Sequence, residues 1–163
     1  MASRHQHLSV YREESVPSGE PFRIGIVISE WNKEITESLY NGCVKTLTKH
    51  KTTKENIVSV YVPGSFELPQ AAELLLESQE FDAVICLGCI IKGETKHDEY
   101  IASAVSHGIM MLSLDYSTPV IFGVLTTENM DQAVDRSGGK LGNKGDEAAI
   151  TALKMASLRA KLI

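Results

Sequence analysis

A nine-residue apolar run, Ala83–Ile91, ends in Lys92-Gly93-Glu94-Thr95, and His97 follows two residues later. The pattern reads as a buried strand, a glycine turn and the first turn of a helix. Backbone N–H groups at such a helix start suit an anion. An imidazole titrates near neutrality and can carry a proton. Anion binding beside proton transfer is the chemistry these residue types offer. A lone histidine in a first helical turn is more often a solvated surface residue, but Gly93 and Thr95 beside it strengthen the functional reading. Thr95-x-x-Asp98 predicts a capping box, with Asp in the acidic position.

Other segments carry similar chemistry. Trp31 is the only tryptophan and follows an apolar run; it is either a partly buried core or surface anchor or a stacking platform for a flat heterocycle. Ser65, Phe66 and Glu67 follow Pro63-Gly64, where a carboxylate beside an aromatic could hold hydroxyl or N–H groups of a polar ligand. Arg136, Lys140 and Lys144 flank the glycines of SGGKLGNKG, residues 137–145. That segment is either a flexible basic loop or a phosphate clamp. It is not a Walker loop, because Gly145 stands where Ser or Thr is required. No GxGxxG follows the first apolar run, which disfavours a dinucleotide. No GxSxG, HExxH or Ser/His/Asp set stands out. His50 and His107 fall at helical positions and read as structural or exposed, and His5 and His7 lie near the N-terminus.

The elements that position these groups follow from apolar periodicity. Strands are predicted over residues 22–29, 57–62, 83–91 and 120–125. Helices are predicted after Asn32 as cap, with Ile35, Leu39, Cys43 and Leu47 on one face, and over 68–79 through Ala71, Ala72, Leu75 and Leu76. Further helices run from Thr95 through Ile101, Val105, Ile109 and Leu112, over 127–136, and over 146–161 through Ala149, Leu153 and Ala156. Gly108 weakens its helix by about 1 kcal/mol relative to Ala, so it predicts close packing there. The order β-α-β-α-β-α-β-α-α with continuously apolar strands indicates α/β class, a three-layer α/β/α sandwich around a four-stranded parallel sheet. In such a sheet the ligand crevice lies at the C-terminal strand ends, where Trp31, Ser65 to Glu67 and Gly93 to His97 all fall.

The chain has 163 residues, 43% of them hydrophobic, and a net charge of −5. It is long enough for one domain with a real core. The acidic balance disfavours nucleic acid as a partner. No apolar run reaches the roughly 20 residues of a membrane helix, and the N-terminal segment lacks the apolar core of a secretory signal. The expected layout is an N-terminal arm over 1–21, outside the central fold, and one α/β domain over 22–163. Three cysteines, Cys43, Cys86 and Cys89, point to reduced buried thiols and a cytoplasmic location. Cys86-x-x-Cys89 lies inside a strand, not at the helix start that redox pairs use, and no second pair supports zinc.

Four segments, VPGSFELPQAA, LGCIIKGETKHDEY, PVIFGVLTTEN and DRSGGKLGNKGDEAA, together closely resemble the 6,7-dimethyl-8-ribityllumazine synthase family. The resemblance runs from about residue 22 to 158. It implies a flavodoxin-like fold and the penultimate step of riboflavin biosynthesis. In that step 5-amino-6-(D-ribitylamino)uracil condenses with 3,4-dihydroxy-2-butanone 4-phosphate, releasing phosphate and water, with no metal or organic cofactor. Carried over residue by residue, it implies that Trp31 stacks on the pyrimidine. Ser65, Phe66, Glu67, Cys89, Ile90 and Ile91 line the ribityl chain. Glu94 and Thr95 offer N–H groups to the phosphate, Arg136 pairs with it, and Lys144 lies near the anion. His97 transfers protons. Phe122 closes the pyrimidine side from an adjacent subunit, with the Arg136 region across that subunit boundary from it.

Two positions depart from the family's common pattern: Trp31 where Phe is usual and Cys89 where Thr is usual. The resemblance also implies a homopentamer and, because the loop 138–145 is short, a 60-subunit shell, with riboflavin synthase as a further partner. The arm residues 8–11 are expected to pair with a neighbour's sheet edge. Two other readings compete. One is a flavin- or lumazine-binding protein without turnover, which would not need Thr95, His97 and Arg136. The other is a phosphosugar-binding module, which would not need the aromatics at 31 and 66.

Overall fold

The computed structural model describes residues 7–163. Four strands, β1 (Ile24–Ser29), β2 (Ile57–Val62), β3 (Ala83–Ile91) and β4 (Val120–Thr127), form one parallel sheet in the order β2-β1-β3-β4. β1 and β3 lie at its centre and are buried almost throughout. This is why their apolar runs do not alternate. β2 is an edge strand and only half-buried, with Tyr61 exposed.

Side chains alternate between the two faces. Ile24, Ile26, Ile28, Ile85 and Leu87 face α1 (Lys33–Lys49) and α5 (Lys144–Leu162). Val27, Val84, Cys86, Ile90 and Val124 face α2 (Leu68–Ser78) and α3 (His97–Asp115). The predicted helix faces are the buried ones: Ile35, Leu39, Cys43 and Leu47 on α1, Val105, Ile109 and Leu112 on α3, and Ala149, Leu153 and Ala156 on α5. α3 runs unbroken through Gly108, where an added Cβ would come within 3.0 Å of Pro69. At Gly145 an added Cβ would meet the Leu39 carbonyl oxygen at 1.9 Å. α5 therefore touches α1 backbone to backbone, and only glycine allows it.

Several boundaries differ from expectation. β4 continues to Thr127 because Thr126 and Thr127 pair with Ile90 and Ile91. α4 accordingly begins at Met130 and ends at Arg136, capped by Asn129 Oδ1, which accepts from the Gln132 N–H at 2.9 Å. The glycine-rich loop is a small hairpin, β5 (Ser137–Gly139) and β6 (Gly142–Asn143). Gly138 and Gly142 take φ of 116° and 84° there, which glycine adopts without strain. The Thr95 capping box does not form. α3 starts at His97, Lys96 occupies the cap position, and no side chain caps it.

The arm, expected to stand outside the central fold, lies from His7 onward against its own chain; His5 and its neighbours fall outside the described residues. The Leu8 N–H donates to the Leu141 carbonyl at 2.7 Å and the Gly19 N–H to the His50 carbonyl at 2.7 Å. The Tyr11 hydroxyl meets His50 Nε2 at 3.2 Å, and Val16 is buried in the α1–α5 core. Residues 8–11 form no strand within the chain.

Candidate functional site

The strand order reverses at β1: its successor β2 lies on one side and β3 on the other. The crevice of an open α/β sheet forms at such a switch point. A cleft of about 520 Å³ lies there, walled by Trp31 and Asn32 after β1, Gly64 to Glu67 after β2, and Cys89 to Ile91 at the end of β3. Gly93, Thr95, His97, Asp98 and Ile101 complete it. A hollow of about 620 Å³ lies elsewhere, between the arm, α1 and the hairpin. It is larger but away from the strand ends, and the Lys49–Glu13 pair on its wall is satisfied internally.

The cleft groups are poised outward. Trp31 is 71% exposed and Phe66 60%, which removes the core-anchor reading of Trp31 and leaves two bare aromatic surfaces at one opening. Ser65 is the reverse: its hydroxyl is buried and, among the described residues, has no hydrogen-bond partner. Buried polar groups are nearly always partnered, so an orphan hydroxyl lining a cleft is a place for a ligand's polar atom. Gly88, on β3 beneath it, makes the room; a Cβ there would come 2.6 Å from Ser65 Oγ.

Among the described residues, no backbone acceptor meets the N–H of Gly93, Glu94 or Thr95. An added Cβ at Gly93 would touch nothing within 4 Å, so neither packing nor a left-handed turn demands glycine there. What it provides is open access to the backbone amides. Lys92 anchors this loop: its N–H donates to the Thr127 carbonyl at 2.8 Å and its Nζ pairs with Glu128 at 2.8 Å. The hydrogen bond from Nζ to the Glu128 carboxylate, then the Glu128 charge, raises the Lys92 pKa. His97, the first residue of α3, is exposed at the same mouth.

Cys89 lines the cleft with a thiol that burial pushes up to about 11, and Cys86 is pushed up to about 12 by burial alone. The two point to opposite faces of β3. The Cys-x-x-Cys therefore cannot close a disulfide across the sheet, and these are buried thiols as expected.

Four residues expected at the site do not line this cleft within one chain. Glu94 sits on the exposed loop between Gly93 and Thr95. Phe122 is half-buried on β4 against the α2–α3 core. Arg136 closes α4, its Nη1 donating to the Gln132 carbonyl at 3.1 Å. Lys144, expected in a loop, is the first residue of α5, and its Nζ pairs with Glu147 at 2.7 Å. Lys140 is likewise engaged, with Asp135 at 2.9 Å.

Asn32, which the sequence pattern marks only as a helix cap, also lines the cleft. It does not cap: its Nδ2 donates to the Cys89 carbonyl at 2.9 Å. The signal that could have found it is an asparagine directly after the lone tryptophan, since Asn tolerates left-handed backbone. Asp98 and Ile101 line the cleft too, although their spacing marks them as a capping and a core residue.

The fold and this cleft define a small doubly wound α/β protein with an open, aromatic-flanked cleft at its switch point. The sequence profile of the 6,7-dimethyl-8-ribityllumazine synthase family matches residues 21–160. A protein of that name from Cytophaga hutchinsonii is 56% identical over 155 residues, covering 95% of this chain and 97% of the relative. Another, from Parabacteroides distasonis, is 53% identical over 160 residues, covering 98% of this chain and all of the relative. A third, from Porphyromonas gingivalis, is 53% identical over 158 residues, with 97% and 98% covered. The chain belongs to the 6,7-dimethyl-8-ribityllumazine synthase family. Among the described residues no helix is long and apolar enough to cross a membrane.

Proposed function

We propose that this chain is a transferase that condenses 5-amino-6-(D-ribitylamino)uracil with 3,4-dihydroxy-2-butanone 4-phosphate to 6,7-dimethyl-8-ribityllumazine, releasing phosphate and water, as a step of riboflavin biosynthesis. The observation that supports the reading is one cleft that brings together two bare aromatics, an orphan buried hydroxyl, the backbone N–H groups of Gly93 and Thr95, and an imidazole. The pyrimidine stacks on Trp31, and its polyhydroxylated ribityl chain runs along Ser65, Phe66 and Glu67. The pyrimidine amine adds to the ketone and water leaves to form a Schiff base. Phosphate is then eliminated, and ring closure expels a second water. Each stage moves protons, which His97 is placed to carry. The departing phosphate needs donors fixed in advance, a task for the amides of Glu94 and Thr95 and for the Arg136 guanidinium. A phosphate-elimination site has no use in a protein that merely binds flavin.

The reading extends to assembly. The enzyme works as a cytoplasmic pentamer-based particle, a 60-subunit shell, whose product passes to riboflavin synthase. Phe122 reaches the pyrimidine from an adjacent subunit, across the boundary from the Arg136 region, and residues 8–11 pair with a neighbour. What supports association is an exposed apolar strip on α3 and α5. Met110, Leu114, Met155, Leu158 and Leu162 border a hollow of about 480 Å³ there. Patches of this kind mark interaction surfaces. The short hairpin, with only Lys140 and Leu141 between its strands, leaves room for pentamers to pack.

Mixing the purified chain with both substrates and following lumazine absorbance tests the activity. Absence of product from folded protein rejects it. Light scattering tests the particle: a mass near five chains rejects the shell, and a fully active monomer rejects the shared site.

A further inference from the structure

β1 and β3 pair as far as Ile28 and Leu87. Beyond that point β1 ends at Ser29 while β3 runs on to Ile91, so the two strands part and the cleft opens between them. One side chain spans the gap. Asn32 sits at the first turn of α1 with φ 58° and ψ 47°, a left-handed conformation that Asn adopts more readily than most residues. An asparagine here would ordinarily accept a hydrogen bond from the helix's own first N–H groups. Instead its Nδ2 reaches across to the Cys89 carbonyl at 2.9 Å. The residue before it, Trp31, is held on the other side by its N–H, which donates to the Pro63 carbonyl at 3.2 Å. The tryptophan backbone is thus tied to the β2 end directly and to the β3 end through its neighbour.

We propose that Asn32 is a positioning residue that fixes Trp31 relative to the β3 rim and so sets the slot in which the flat ring of the substrate is held. The left-handed turn aims the amide away from α1, and the bond to Cys89 bridges the two chain segments where the β1–β3 ladder stops. The inference rests on the proposed site, with Trp31 as the stacking surface. Because Trp31 is the only tryptophan, its fluorescence reports the slot independently of turnover.

Three full-chain variants separate the two devices. Asn32→Gly keeps the left-handed backbone and removes the side-chain bond. Asn32→Asp keeps the shape but turns a carboxylate oxygen toward the carbonyl. Asn32→Ala removes the bond and strains the turn. The readouts are acrylamide quenching of Trp31, its quenching by the ribitylaminouracil alone, and separate KM values for the two substrates. For Asn32→Gly, the KM of the pyrimidine should rise about three- to tenfold, the worth of one hydrogen bond. The butanone phosphate KM should stay within about twofold and acrylamide should quench Trp31 more readily. Asn32→Asp should show a larger change in the same direction. If Asn32→Asp or Asn32→Ala fails to fold, Asn32→Gly decides alone. Wild-type quenching and pyrimidine KM in Asn32→Gly, or an equal rise of both KM values, would overturn the inference. If the pyrimidine fails to quench Trp31 in the wild-type protein, the site assignment itself falls, which is a separate outcome.

Discussion

The cleft at the ends of β1, β2 and β3 and the group of residues on β4, α4 and α5 differ in one respect: how far the chain satisfies its own side chains. In the cleft, Trp31 and Phe66 are bare and, among the described residues, Ser65 Oγ has no partner and the N–H groups of Gly93 and Thr95 meet no backbone acceptor. On the other side, Phe122 is packed, Arg136 holds the Gln132 carbonyl, Lys140 holds Asp135 and Lys144 holds Glu147. Unsatisfied groups are what a ligand completes. Satisfied ones must exchange an internal partner for it or act from another chain. The first region is therefore open to a ligand within one chain, and the second is closed within it.

The largest effect expected is at the cleft. His97→Ala should lower turnover by about 10²–10⁴-fold, the usual contribution of a positioned acid/base, while the pyrimidine still quenches Trp31. A rate within twofold of wild type would remove His97 as the principal proton carrier. Arg136→Ala tests the other region. A charge-assisted bond to phosphate contributes roughly 1.5–3 kcal/mol. The butanone phosphate KM should accordingly rise about ten- to a hundredfold, with the pyrimidine KM little changed. Equal effects on both substrates would argue that Arg136 serves only its own helix.

Phe122→Ala should weaken pyrimidine binding about two- to tenfold, the range of one aromatic contact. The sharper experiment mixes unfolded His97→Ala and Phe122→Ala chains and refolds them together. Activity exceeding that of either variant alone is expected from a shared site, and simple averaging would place both residues in one chain's site. The smallest effect belongs to Lys144→Met. Its partner Glu147 would be left half-buried and uncompensated, lowering stability by about 1 kcal/mol. Lys144→Met/Glu147→Gln should recover most of that loss in denaturant titrations. A fall in activity at unchanged stability would instead move Lys144 into the first group.

The two asparagines at helix starts show how far the sequence can be read. The pattern predicts a cap at Asn32, and none forms. It leaves Asn143 in a loop, yet Asn143 Oδ1 accepts from the Gly145 N–H at 2.8 Å and begins α5 two residues early. Residue type is the same in both; the difference is backbone. Asn143 is extended, with φ −121°, the conformation from which a side chain can reach back to the first turn, and Asn32 is left-handed. That difference is set by chain neighbours distant in sequence, Cys89 for one and Ser38 for the other, so no local pattern carries it. The central strands are legible because burial on both faces writes an unbroken apolar run. The docked arm is not, because its contacts to His50 and Leu141 join positions far apart in sequence. In the cleft, Trp31, Phe66 and His97 are legible as strand-end residues. The orphan state of Ser65 is not, since only the packing of Gly88 against it creates the space.

The three thiols give the protein a set of internal clocks. Cys43 and Cys89 lie in the α1–α5 layer and Cys86 in the α2–α3 layer, each nearly or wholly shielded from water. Burial raises all three pKa values, so at neutral pH almost no thiolate is present to react. Alkylation must then wait for a layer to open. Its rate at each position, read by peptide mass, times the breathing of one side of the sheet against the other. Cys89, at the cleft, would be gated by the mouth itself, and a ligand seated there would slow that clock and leave the other two running.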